Sequence, residues 1–76
     1  MKIIMYQKTI NIPDHFFNEV EKLMFADGYM EQLEEEYGTK PTESEWKEEV
    51  IETCIYVIRY MECNASIRDA YMDFMH

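Results

Sequence analysis

Apart from its carboxylates, this 76-residue chain holds few residues able to do chemistry. His15 and His76 are its two histidines, and neither stands at a Cys, Asp or Glu spacing that would complete a zinc site. Cys54 and Cys63 are nine positions apart, about 13 Å along a helix axis. A disulfide needs Cα atoms within about 7 Å, so two free thiols are expected, as suits a reducing cytoplasm. Cys54 falls among apolar neighbours and reads as a small hydrophobe; Cys63 sits at a helix end without an evident base. With only Gly28 and Gly38, no glycine-rich phosphate loop can form. The expectation is a non-catalytic protein with no metal and no cofactor.

The carboxylates carry more information. Between Glu31 and Glu52 lie nine of the sixteen acidic residues and two bases, Lys40 and Lys47, so this stretch holds −7 of the net −9. Glu43, Glu45, Glu48, Glu49 and Glu52 span nine residue steps, about 13 Å of helix, or one charge per roughly 3 Å. A single DNA strand carries one charge per about 3.4 Å, so a basic groove built for phosphates matches this spacing. Two other readings of the same run stay open. Acids in a first helical turn favour the positive helix end by about 0.3–1 kcal/mol each, and charged runs are often solvated faces. Against these stand the like-charged pairs Glu45/Glu49 and Glu48/Glu52, each costing about 0.2–0.5 kcal/mol.

Composition bounds what else is possible. A chain of this length makes one domain, residues 1–76, and buries only about 60% of its unfolded surface, which makes oligomerisation a common remedy. The 47% apolar and 14% aromatic content is rich enough to fold. A sequence pI near 4.5 disfavours nonspecific hold on nucleic acid or an anionic membrane. The segment Met1–Tyr6 lacks the apolar core of a signal peptide, and no run reaches membrane-spanning length. A cytoplasmic protein with a basic partner is expected. Asn64-Ala65-Ser66 matches a glycosylation sequon but reads here as helix punctuation.

These residues must be positioned by a mainly α fold: one N-terminal β-strand followed by three to four short helices. Residues 3–12 read as the strand, with Gln7, Thr9 and Asn11 on one face and Ile10 and Ile12 on the other. Pro13 opens a helix over about 13–26, in which Phe16, Phe17, Val20, Leu23 and Met24 recur at spacings of three and four. Asp27-Gly28 supplies a stop. Residues 29–37 form a shorter helix with Met30, Leu33 and Tyr37 on one face, or else continue the first helix across Gly28. Thr42-Glu43-Ser44-Glu45 fits a capping box at the head of a helix over about 43–62. There Trp46, Val50, Ile51, Cys54, Val57, Ile58 and Met61 occupy one arc, opposite Glu45, Glu48, Glu49, Glu52 and Tyr56. Asn64 or Ser66 caps a last helix over about 66–75, with Ile67, Ala70, Tyr71 and Phe74 as its apolar stripe. A lone strand leaves its backbone unpaired. Pairing with its copy in a homodimer is the preferred remedy, an overlooked strand or a partner's sheet edge being the others.

The segment from Lys8 to Leu23, an alternating strand, a proline helix start and an amphipathic helix with Glu and Lys, resembles the ribbon-helix-helix family. That resemblance implies a dimer whose paired strands enter the DNA major groove, with Gln7, Thr9 and Asn11 as the residues reading base edges. An ordinary edge strand with a polar outer face fits the same residues. The chain's small size, acidity and lack of catalytic groups resemble, in general character, the phage-encoded inhibitors, many anti-CRISPR proteins among them. This likeness implies occupation of a basic nucleic-acid channel in a partner complex. Under that reading the partner-binding residues are Glu34, Glu35, Glu36, Glu45, Glu48, Glu49 and Glu52, with Tyr56 and Tyr60 as aromatic anchors. The ribbon-helix-helix regulator or antitoxin is the alternative.

Overall fold

The computed structural model describes residues 2–5 and 8–75. Two strands, β1 (Lys2–Met5) and β2 (Lys8–Asn11), precede four helices, α1 (Asp14–Ala26), α2 (Tyr29–Tyr37), α3 (Glu43–Tyr60) and α4 (Ile67–Met75). The fold is mainly helical, and all four helices lie within two residues of their sequence-derived bounds.

The strand region departs from the single strand expected over residues 3–12. It is an antiparallel hairpin in the register Lys2↔Asn11, Ile3↔Ile10, Ile4↔Thr9, Met5↔Lys8. A continuous strand would place Ile4 on the face of Ile10 and Ile12, because side chains alternate strictly. Reversal changes that parity. Ile3 and Ile10 now share the inner face and pack on the core, while Ile4 is left 79% exposed beside Thr9. Nothing marks the reversal in sequence: Tyr6-Gln7 lacks the Asn, Asp or Gly that two-residue turns favour. The backbone partner that a lone strand would seek in a second subunit is therefore supplied by β1.

Each helix boundary has a local cause. Pro13, extended at φ −61° and ψ 149°, is the N-cap of α1, and its carbonyl accepts the Phe17 N–H at 3.0 Å. Gly28 ends that helix by adopting φ +77°, a left-handed conformation open cheaply to glycine, and separates α1 from α2. Gly38 does the same after α2, at φ +75°. The capping box of α3 is present: the Thr42 N–H donates to Glu45 Oε1 at 2.9 Å, and the Glu45 N–H to Thr42 Oγ1 at 3.2 Å. Ser66 Oγ accepts the Asp69 N–H at 3.1 Å and so caps α4. Asn64 Nδ2 donates to the Tyr60 carbonyl and to Asp73, tying the preceding turn to that helix.

Helices α1, α3 and α4 pack on one another, and α2 lies against α1. Their shared core holds Phe16, Val20 and Met24 of α1, Val50, Cys54 and Val57 of α3, and Ala70 and Tyr71 of α4, with Ile12 closing it below the hairpin. The whole arc predicted for α3 either belongs to this core or packs against it. Tyr71 is almost fully buried, and its hydroxyl donates to Asp27 Oδ2 at 2.8 Å, fastening α4 to the α1–α2 turn. Burial, then the Asp27 hydrogen bond, push the Tyr71 phenol well above its ordinary pKa. Among the described residues, no helix is long and apolar enough to cross a membrane.

Candidate acidic interface

The acidic surface is assembled where Tyr29 and Tyr37 of α2 reach the N-terminal half of α3. Tyr29 and Tyr37 stand eight residues apart on α2, on the side that also buries Leu33. Both reach α3: the Tyr29 hydroxyl donates to Glu49 Oε2 at 3.3 Å and the Tyr37 hydroxyl to Glu49 Oε1 at 3.4 Å. One half-buried carboxylate thus accepts from two phenols, one through each oxygen. The Tyr29 phenol is raised above its ordinary pKa by burial first, then by Glu49, with Glu52 and Glu36 adding to it. The Tyr37 phenol is raised likewise by desolvation, Glu49, Glu36 and Glu45. Four carboxylates from two helices therefore act on one small region.

Their roles are unequal. Glu45 is exposed but belongs to the capping box, where the Thr42 backbone N–H and then the Thr42 side chain hold its carboxyl below the usual carboxylate range. Glu49 is committed to the two tyrosines. Glu36, Glu48 and Glu52 are exposed, and Glu48 and Glu52 stand one helical turn apart. Among the described residues no carboxylate oxygen lies within 4.0 Å of a lysine or arginine nitrogen. Among the described residues, the negative charge is not neutralised by contact.

The other sequence-derived candidates divide. Consecutive helical residues point about 100° apart, so Glu34, Glu35 and Glu36 fan out instead of clustering. Glu36 is the one of the three that acts on the tyrosines; Glu35 is exposed and Glu34 half-buried. Tyr56 and Tyr60 continue the α3 stripe and are 47% and 37% exposed. Both also hold α4 in place: Phe74 stacks on Tyr56 at 5.2 Å and 4°, and tilts against Tyr60 at 5.9 Å and 54°. The Arg59 guanidinium sits 5.6 Å over the Tyr56 ring, so a cation terminates the acidic stripe. On the hairpin, Thr9 and Asn11 are exposed on the outer face, whereas Gln7 lies outside the described residues.

Two features of the site had no sequence signal. The i,i+8 spacing of Tyr29 and Tyr37 marks a shared helix face, but nothing local names Glu49 as their acceptor. Likewise Trp46, placed in the core arc, is half-buried and donates through Nε1 to Glu21 Oε2 at 2.9 Å, across to α1. Among the described residues, no group of three His, Cys, Asp or Glu side chains is placed to hold a metal ion. Compared with known protein families, curated proteins and solved structures, the chain matches none.

Proposed function

We propose that this protein is a non-catalytic acidic inhibitor, working in the cytoplasm, that docks on the basic, nucleic-acid-binding surface of a partner protein. The observation that carries the reading is the meeting of Tyr29 and Tyr37 of α2 on Glu49 of α3, with Glu36, Glu45 and Glu52 near enough to act on the same phenols. A flexible acidic tail would lose its conformational freedom on docking. Carboxylates carried on the ordered helices α2 and α3 lose less, and this preorganisation favours affinity. The mechanism is competition: the ordered carboxylates take the place of phosphates in a positive groove, as DNA mimics and anti-CRISPR proteins do. Charge attraction of this kind steers association and weakens with salt.

The probe is an immobilised arginine-rich peptide standing in for a basic groove. Reversing Glu36, Glu48 and Glu52 to lysine leaves the cap and the tyrosine bonds intact and should lower affinity by far more than reversing Glu19, Glu31 and Glu62, which are exposed elsewhere. The two triple variants have equal net charge. Equal losses would mean that total charge, and not this face, determines binding, and the reading would fall. It would also fall if the wild-type chain retarded duplex DNA in a gel and lost that activity with Thr9→Ala and Asn11→Ala, since the hairpin would then be the working surface.

A further inference from the structure

Between α1 and the first turns of α3, with Met30 of α2 at one end, runs a groove lined by none of Glu36, Glu45, Glu49 and Glu52. One part, about 430 Å³, is lined by Glu21, Lys22, Phe25, Ala26, Met30 and Trp46. An adjoining part of about 390 Å³ shares Glu21 and Trp46 and adds Phe17, Glu43 and Lys47. Pockets that take small ligands begin at roughly 300 Å³, so either part admits an aromatic ring. At the rim of the first stands Phe25, 62% exposed although α1 has an apolar core to serve. An exposed large apolar side chain thus forms part of the wall of an apolar groove.

The charges say what covers this surface. The chain carries −9, and a second copy is repelled over most of its area. Around the groove the balance differs: Glu21 and Glu43 are matched by Lys22 and Lys47, two of the seven bases in the chain. A basic partner would meet two lysines here and an acidic one two glutamates, whereas a twofold-related copy can set each acid against a base. A twofold interface requires such self-complementarity, one patch meeting itself. We propose that this groove is the interface of a homodimer, with Phe25 of each protomer seated beside Trp46 of the other. The groove borders the acidic interface at Trp46, whose ring tilts against that of Tyr29 at 6.4 Å, but none of Glu36, Glu45, Glu49 and Glu52 lines it. The dimer also adds the apolar burial that a chain of this size lacks.

Sedimentation across a concentration series tests it, together with the emission of Trp46, the only tryptophan. Expected is a species of twice 9.3 kDa, with Trp46 emission moving to shorter wavelength as it forms. Phe25→Glu should raise the dissociation constant at least about 30-fold, the equivalent of about 2 kcal/mol. Ala26→Arg, which blocks the groove from an exposed position, should do the same, and Lys47→Glu should weaken the dimer by unbalancing the patch. Far-UV circular dichroism of each variant should match wild type, because all three positions are exposed. A chain that stays at monomer mass at every concentration overturns the proposal. So does a dimer indifferent to Phe25→Glu, or one lost instead with Ile4→Glu on the hairpin.

Discussion

Cys54 and Cys63 are one chemical group in two environments. Cys54 is fully buried in the core and Cys63 is exposed after α3. Burial pushes the Cys54 thiol up to about 12, so the thiolate that reacts is withheld from it. Native protein treated with iodoacetamide should take up one label, at Cys63, and the second only on unfolding; two labels at equal rates would refute the placement. The same burial sets the alkaline limit of the fold. An acid whose folded pKa is raised contributes fully below its unfolded pKa, near 8.5 for a thiol and 10 for a phenol, and loses that contribution as pH rises toward the folded value. Cys54 and Tyr71 both carry such raised values, so stability should fall progressively above about pH 9. Tyr71→Phe keeps the ring and removes the Asp27 hydrogen bond. It should cost about 1–2 kcal/mol at neutral pH, read by urea unfolding, and should flatten the decline above pH 10.

At the scale of elements, the turns decide where helices stop. Gly28 and Gly38 hold positive φ, and a Cβ built at Gly28 would meet only Glu31 Oε2 at 3.5 Å, an ordinary contact. The cost of Gly28→Ala is therefore backbone strain alone, about 1–2 kcal/mol by urea denaturation, and Gly28→Asn should recover part of it, since asparagine tolerates the left-handed region. A neutral Gly28→Ala would show that α1 and α2 are not held apart by this residue. This punctuation also explains what was legible in sequence. Proline, glycine and the Thr42–Glu45 box sit at helix ends, and the apolar period between them is unbroken, so the four helices could be read almost to the residue. The hairpin could not. Its reversal depends on which isoleucines meet across the two strands, a pairing that the run Ile3-Ile4-Met5 hides. In the candidate site, the exposure of Glu45, Glu48, Glu52 and Tyr56 followed from the period of α3, whereas Glu49, expected on the same outward arc, is half-buried under Tyr29 and Tyr37. The hold of Tyr29 and Tyr37 on Glu49 is a contact between helices, and local spacing does not encode it.

For the molecule as a whole, charge opposes the compact state. Acids outnumber bases by nine, and the exposed pair Glu48 and Glu52 lies one turn apart on the same helix, with no cation in contact among the described residues. Such a pair costs about 0.2–0.5 kcal/mol, so Glu48→Gln should stabilise the fold by about that amount. Added salt should raise the midpoint of thermal unfolding for wild type and raise it less for Glu48→Gln, because part of the repulsion has been removed. Binding should move the other way: the same substitution weakens the hold on the arginine-rich probe. Circular dichroism melts at two salt concentrations, paired with the binding assay, read both effects on one variant. A residue that harms the fold and helps the contact is what a displayed anionic surface requires. If Glu48→Gln lowers stability, or leaves binding unchanged while raising stability, Glu48 is no part of a working face.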